Sequence, residues 1–91
     1  MDIIIVGCGR IGSTLVEELS GENHDISVID EKADIVQEMA DTYDVLGVIG
    51  NGASYNTLVE AGIEKADIVI AVTNSDELNL LCCLIAKKAG D

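Results

Sequence analysis

The feature that most constrains the fold is a run of apolar residues that leads directly into three closely spaced glycines. Residues 3–6 are all β-branched, and Gly7, Gly9 and Gly12 follow them at once. A short run without polar positions is typical of a strand that is buried on both faces of a parallel sheet. Apolar residues then recur at helical spacing and predict the buried face of a helix: Ile11, Leu15 and Leu19. The segment therefore predicts a strand, a glycine turn and a helix in immediate succession.

The remainder of the chain repeats this alternation of strands and helices. Further strands are predicted over residues 26–29, 45–49 and 68–72. Helices are predicted over residues 11–19 and 32–43, from the turn "GNGAS" through Val59 to a stop at Gly62, and from the cap residues Asn74 and Ser75 to Gly90. Short strands that alternate with helices form right-handed βαβ units around a parallel sheet. The predicted fold class is therefore α/β, a Rossmann-like doubly wound parallel sheet in a single domain over residues 1–91.

The predicted sheet has fewer strands than a complete fold of this class. A doubly wound dinucleotide-binding domain usually has six strands in the order 3-2-1-4-5-6, and the sequence predicts only the first four. The fourth strand, residues 68–72, would then be an apolar edge, which favours association with other chains. We expect either a fragment that is truncated after the fourth strand and its helix, which is the favoured interpretation, or an edge covered by a partner chain.

The last predicted helix is apolar on more than one side. One stripe consists of Leu78, Leu81, Cys82, Ile85 and Ala89. Further apolar residues fall outside that stripe: Leu80, Cys83 and Leu84. A helix that is apolar nearly all round is buried on both sides. We therefore expect one face to pack on the sheet and another to lie in the subunit interface of a homo-oligomer.

Composition excludes several classes of function. The chain has 17 acidic and 5 basic residues, a net charge of -12, and only two aromatic residues, both tyrosines. Such a chain would repel a phosphate backbone and could hardly stack bases, so no nucleic-acid partner is expected. No apolar run approaches the roughly 20 residues of a membrane span, so direct membrane insertion is not expected either. Three cysteines without zinc-type spacing indicate free thiols in a reducing cytoplasm and no metal site.

The glycines match the G-x-G-x-x-G pattern of a dinucleotide-binding loop, and their context strengthens the match. The pattern follows a predicted strand and opens a helix, and Asp30 ends the next strand, close to the separation of about 20 residues expected for a ribose-binding acid. Gly7 would permit the tight turn, Gly9 the approach of the pyrophosphate and Gly12 the close packing of the helix. Because the Asp30 carboxylate would accept ribose hydroxyls and repel a 2′-phosphate, NAD(H) is favoured over NADP(H).

Two further groups of residues are candidates for ligand contacts. Arg10 is the only arginine of the chain and lies inside the glycine loop. Since a guanidinium matches the geometry of phosphate, we predict that it binds a ligand phosphate. Asn74 and Ser75 follow the fourth strand, where they can cap the last helix, contact the ligand or do both.

No residue of the chain suggests catalysis. His24 is predicted at the amino edge of the sheet, opposite the cleft, and the two lysines near the end of the last helix are equally remote. Cys8 lies near a helix N-terminus, where the pKa of a thiol can fall. No base is predicted beside it, however, and a small residue tolerated in the loop is the favoured interpretation. We therefore predict that the protein is not an enzyme.

The segments "MDIIIVGCGRIGSTLVEELSGENHDISVIDE", "GNGAS" and "ADIVIAVTNSDELNLLCCLIAKK" resemble a known family. They are similar to the N-terminal nucleotide-binding domain of TrkA-type proteins, the RCK or KTN group, over essentially the whole chain. These proteins are cytoplasmic regulatory subunits of Trk potassium uptake systems. The resemblance implies that the domain binds NAD⁺ or NADH, or in relatives ATP or ADP, without turning it over. It also implies an oligomer that acts on a membrane-embedded potassium transporter or channel subunit at the inner face of the plasma membrane.

The resemblance further implies which residues contact the ligand. By matching position these are Gly7, Cys8, Gly9, Arg10 and Ile11 in the loop, Asp30 at the ribose, and Thr73 and Asn74 after the fourth strand. Family members often carry an acid in the turn after the third strand, where this chain has Asn51.

Three alternatives to an NAD-sensing regulatory domain remain open at this point. The chain could be the cofactor-binding half of an NAD-dependent dehydrogenase, with a catalytic domain elsewhere. It could be an ATP- or ADP-sensing version of the same regulatory domain, since Asp30 suits any adenosine ribose. Finally, it could be an oligomerisation module whose glycine loop has lost its ligand.

Overall fold

Four parallel strands form one sheet in the order β3-β2-β1-β4. The strands are β1 (Asp2–Val6), β2 (Asp25–Asp30), β3 (Leu46–Ile49) and β4 (Ile68–Ala71). The helices are α1 (Arg10–Ser20), α2 (Ala33–Thr42), α3 (Tyr55–Glu60) and α4 (Asp76–Gly90), and a 3₁₀ turn over Ile63–Lys65 precedes β4. The structure, a computed structural model, describes residues 1–90. The predicted α/β class, the parallel sheet and the strand order are confirmed.

Strand β1 lies at the centre because its side chains are apolar on both faces. Ile4 and Val6 pack with α3 and α4 on one face of the sheet, whereas Ile3 and Ile5 pack with α1 and α2 on the other. All four side chains are buried. Successive side chains of a strand point to opposite faces, so an uninterrupted apolar run supplies both cores. This places helices on both sides of the sheet, as a doubly wound fold requires.

The buried faces of α1 and α4 differ from the predicted stripes by one residue each. Ile11 is 62% exposed, and α1 packs instead through Gly12 and Val16, with Leu15 and Leu19 half-buried. The reason is steric: Gly12 has to face the end of β1, and its neighbour Ile11 is then turned by about 100° away from the core. The prediction that Ile11 belongs to the core was wrong.

Helix α4 departs from its predicted stripe at one residue, Leu81. Cys82 and Ala86 are buried, Ile85 and Ala89 are half-buried, and Leu81 is 49% exposed. Leu81 therefore joins two other leucines on the outer side of the helix, Leu80 and Leu84. We call these three residues the α4 leucine patch.

Strand β4 forms one edge of the sheet, and Ile68 at its start is exposed. Among the described residues, no helix combines the length and the hydropathy that a membrane crossing needs.

Candidate nucleotide-binding site

A cleft opens at the carboxyl edge of the sheet, where the loops after the four strands meet. Its walls come from the glycine loop after β1, the end of β2, the start of α2 and the loops after β3 and β4. Five residues that the sequence predicts for the site line this cleft: Gly7, Gly9, Asp30, Thr73 and Asn74. The other four lie beside it, in the same loop and the first turn of α1: Cys8, Arg10, Ile11 and Gly12.

Glycine occupies the three loop positions for different structural reasons. Gly7 has φ +99°, a conformation that side chains disfavour, and a Cβ there would lie 3.0 Å from the backbone nitrogen of Thr73. A Cβ at Gly12 would lie only 1.8 Å from the carbonyl oxygen of Gly7. A Cβ at Gly9, in contrast, would have no atom within 4 Å. The fold therefore requires glycine at positions 7 and 12, while at position 9 the free space faces the cleft.

Asp30 holds the end of β2 against the glycine loop. Its Oδ2 accepts a hydrogen bond of 2.8 Å from the backbone N–H of Cys8, and its Oδ1 accepts one of 2.9 Å from the N–H of Lys32. A carboxylate oxygen can accept a second hydrogen bond, so both oxygens keep capacity for hydroxyl groups in the cleft. Sequence reasoning assigned Asp30 to a ligand only and missed this structural role.

The Cys8 side chain points into the core, on the α1 and α2 side of the sheet. It is 3% exposed. Burial, together with the nearby charge of Asp30, raises the pKa of this thiol to about 11. Cys8 therefore stays protonated at neutral pH, and its backbone N–H is bonded to Asp30.

The N-terminus of α1 is left open toward the cleft. Its N-cap residue, Gly9, offers no side chain as a cap, and the first turn contains no acidic residue. By contrast, Ser54 caps α3 and Ser75 caps α4 through the N–H of Leu78, at 3.1 Å. Uncapped N–H groups at a helix N-terminus attract anions. Helix α1 thus presents free donors where the sequence predicted a phosphate.

Arg10 is the first residue of α1 and is exposed. A positive charge at a helix N-terminus opposes the helix dipole and lowers helix stability slightly. Its position therefore has no stabilising explanation within the helix, and an anion beside it would remove the conflict.

The loop after β4 is held by an asparagine to which the sequence analysis assigned no role. The Oδ1 atom of Asn79 accepts hydrogen bonds from the N–H and the hydroxyl of Thr73, at 2.9 and 2.6 Å. Its Nδ2 donates to the Thr73 carbonyl oxygen at 3.2 Å. One feature of the sequence could have indicated this role: Asn79 is a polar residue within the apolar run of the last helix, one turn after its cap.

The loop after β3 approaches the cleft through glycines. A Cβ at Gly52 would lie 2.3 Å from Cγ1 of Val6, so this loop packs directly on β1. Asn51 accepts a hydrogen bond of 2.7 Å from the N–H of Ala53, and its side chain stabilises the turn.

Comparison with known proteins identifies the family of this chain. The sequence profile described as the TrkA-N domain matches residues 3–91. The chain belongs to the TrkA-N domain family. It is 46% identical over 86 residues to the Trk system potassium uptake protein TrkA of Vibrio alginolyticus, an alignment that covers 94% of the chain and 19% of that relative. The chain thus spans about a fifth of the length of the relative it matches.

Solved structures share the fold of this TrkA-N domain. The TrkA-N domain of the inner membrane protein ybaL from Escherichia coli superposes with a TM-score of 0.86 at 28% identity, covering 97% of the chain and 64% of that structure. The Kef CTD of Shewanella denitrificans, in its AMP-bound form, superposes with a TM-score of 0.84 at 22% identity, covering 97% and 52%.

The charged side chains that line the cleft of this TrkA-N domain are Asp30, Glu31 and Lys32. His24 precedes β2, at the opposite edge of the sheet, where its Nε2 lies 3.3 Å from Glu22. Within residues 1–90, no group of three or more His, Cys, Asp or Glu residues is arranged to hold a metal ion.

Proposed function

We propose that this TrkA-N domain binds NAD⁺ or NADH in the cleft and acts as the nucleotide-sensing regulatory domain of a Trk-type potassium uptake system. The observation that carries the proposal is the uncapped N-terminus of α1, which faces a cleft that Asp30 also lines. Free N–H donors suit the pyrophosphate, and the carboxylate suits the adenosine ribose. The name of the Vibrio alginolyticus relative supports the connection with potassium uptake.

Arg10 completes the proposed phosphate site. Its guanidinium can form charge-assisted hydrogen bonds with a phosphate while remaining exposed at the start of α1. Asp30 would repel a 2′-phosphate, so NADPH should bind much more weakly than NADH. The nine residues predicted from the sequence stay the proposed contact set, with Gly7 and Gly12 shaping the loop and Cys8 acting through the backbone.

An adenylate-sensing version of the same domain is the second candidate. The Kef CTD shares this fold and has been solved in an AMP-bound form. Ribose and phosphate groups are common to AMP, ADP, ATP and NAD(H), and the contacts proposed above would hold any of them. The nicotinamide half of the ligand is therefore the part that has to be tested.

The proposed output is a change in an oligomer and not a chemical reaction. The α4 leucine patch offers an apolar surface for a second copy, and the same helix starts at the cleft. A ligand that binds one arrangement of the oligomer more tightly than another shifts the population toward it. We propose that this shift acts on a membrane-embedded transporter or channel subunit, with the domain at the cytoplasmic face.

Calorimetric titration of the 91-residue chain with NADH, NAD⁺, NADPH, ATP and ADP tests the proposal. We expect saturable binding with NADH or NAD⁺ as the tightest ligand, and an NADH absorbance that stays constant during prolonged incubation. Tighter binding of ATP or ADP would favour the adenylate sensor. Absence of saturable binding for all five ligands would overturn the proposal, and oxidation of NADH would contradict its non-enzymatic part.

A further inference from the structure

Asn79 lies in α4, behind the loop that closes one side of the cleft. It is half-buried and is not among the residues that line the cleft, whereas Thr73 and Asn74 are. Any influence of Asn79 on a ligand must therefore act through that loop.

The Asn79 amide bonds to both backbone groups of Thr73 and to its hydroxyl. The last sheet-type hydrogen bond of this segment runs from the N–H of Val72 to the carbonyl of Val6, at 2.9 Å. Beyond it, the chain leaves the sheet and the Thr73 N–H and C=O have no neighbouring strand. The amide of Asn79 takes the place of that strand and fixes the backbone where the sheet ends.

Thr73 in turn lies directly against the glycine loop. A Cβ at Gly7 would be 3.0 Å from the Thr73 nitrogen and from the Val72 carbonyl group. The Thr73 backbone is therefore packed against the turn that directs α1 toward the cleft. A rotation of the Thr73 peptide would therefore change the surroundings of Gly7, in the turn that leads into α1.

We infer that Asn79 is a positioning residue of the nucleotide site, which holds Thr73 and, through Thr73, the glycine loop in the geometry that binds the ligand. This inference rests on the proposed function, because it concerns affinity for the same ligand. It adds a residue that neither touches the cleft nor belongs to the glycine motif.

The test compares wild type, Asn79→Ala and Asn79→Asp with Asn56→Ala, which removes an exposed asparagine from α3. Binding of NADH and of uncharged adenosine is measured by calorimetry at a temperature at which circular dichroism shows every variant folded. Asn79→Ala should weaken the binding of both ligands by about tenfold, since the N–H and C=O groups of Thr73 lose their hydrogen-bond partners. Asn79→Asp keeps the acceptor for the N–H and the hydroxyl of Thr73, but it turns a second carboxylate oxygen toward the Thr73 carbonyl oxygen in place of the donor, so adenosine should bind more weakly than to wild type. Asn56→Ala should bind as wild type does.

Hydrogen exchange of the ligand-free proteins provides a second readout. The amides of residues 73–78 should exchange faster in Asn79→Ala, while those of β2 should be unchanged. If folded Asn79→Ala and Asn79→Asp both bind adenosine within twofold of wild type, the inference about Asn79 is overturned and the proposed function stands. If wild type itself shows no saturable binding while Asn79→Ala still accelerates exchange at residues 73–78, the proposed function is wrong. Asn79 then has no role in positioning a nucleotide site, although it still holds the loop.

Discussion

The carboxylate of Asp30 accepts a hydrogen bond of 2.8 Å from the backbone N–H of Cys8, and this bond joins the end of β2 to the glycine loop. The second carboxylate oxygen is bonded to the N–H of Lys32. The residue that should recognise the ribose is thus also the residue that holds the loop. Ligand recognition and loop stability should therefore respond together when Asp30 is changed.

Replacement of Asp30 should lower both stability and affinity. In Asp30→Ala the N–H groups of Cys8 and Lys32 lose their acceptor, which should lower the free energy of unfolding by about 1.5–3 kcal/mol. Asp30→Asn keeps one carbonyl acceptor and should lose less stability, but nucleotide binding should be weak in both variants. Urea denaturation and calorimetric titration measure the two effects. Asp25→Ala, at the other end of the same strand, is the control, and equal stability of Asp25→Ala and Asp30→Ala would contradict this prediction.

The glycine loop allows folding and binding to be separated by two substitutions. Gly12→Ala would place a Cβ 1.8 Å from the carbonyl oxygen of Gly7, so α1 must move, and we expect a loss of several kcal/mol or no folding at all. Gly9→Ala meets no atom within 4 Å and should keep a thermal midpoint close to that of wild type. Its methyl group should nevertheless abolish nucleotide binding by blocking the approach of the phosphates. A Gly9→Ala variant that binds NADH as tightly as wild type would show that no phosphate approaches at this position.

The strand order and the location of the cleft could be predicted from the sequence because few topologies satisfy its pattern. Short, mainly apolar strands that alternate with helices favour a parallel sheet, and right-handed crossovers then restrict the order. The faces of single helices were harder to predict. A shift by one residue turns a side chain by about 100°, and the local requirement that Gly12 face β1 decided the orientation of Ile11.

Long-range hydrogen bonds between side chains and backbone groups could not be predicted from the sequence pattern. Two examples are the bond from the Cys8 N–H to Asp30 and the bonds between Asn79 and Thr73. They depend on the paths of two loops, and the periodicity of apolar residues does not predict the path of a loop. The helix cap was predicted correctly for Ser75, because capping depends only on local spacing.

Arg10 should affect binding without supporting the fold. Its charge opposes the dipole of α1, so Arg10→Ala should be as stable as wild type or slightly more stable. Loss of a charge-assisted hydrogen bond should weaken the binding of AMP by about tenfold or more. The affinity for adenosine, which has no phosphate, should be nearly unchanged. Parallel titrations of the two ligands measure the difference, with Lys65→Ala as a control for general charge effects. An equal loss for both ligands would argue against a phosphate contact.

The two buried thiols should make the protein less stable at high pH. The pKa of Cys8 is raised from 9.0 to about 11 by burial and by the charge of Asp30, and the pKa of Cys82 is raised to about 11 by burial and by Cys83. Because the folded state favours the protonated thiols, their contribution is complete below about pH 9 and is lost as the pH rises through 11. The urea midpoint, measured between pH 7 and pH 11, should stay constant up to about pH 9 and decrease above it. The decline should be shallower in Cys8→Ala, and an identical slope in that variant would contradict the assignment.

The α4 leucine patch should mediate self-association. Leu80 and Leu84 are 64% and 57% exposed, and they lie on the side of α4 that faces away from the sheet. Complete burial of a leucine side chain contributes about 1.5–3 kcal/mol, so Leu84→Glu should weaken association by roughly tenfold or more. Sedimentation velocity over the micromolar range measures this effect.

Leu46→Glu is the matched control, because Leu46 is comparably exposed at 54% but lies in edge strand β3, away from the patch. It adds the same charge to a chain of net charge -12 and should leave association nearly unchanged. Because Leu84 makes little contact within its own chain, the thermal midpoint of Leu84→Glu under monomeric conditions should equal that of wild type. A wild-type chain that is monomeric at every micromolar concentration, or two variants that associate equally, would show that a second copy does not dock on this patch.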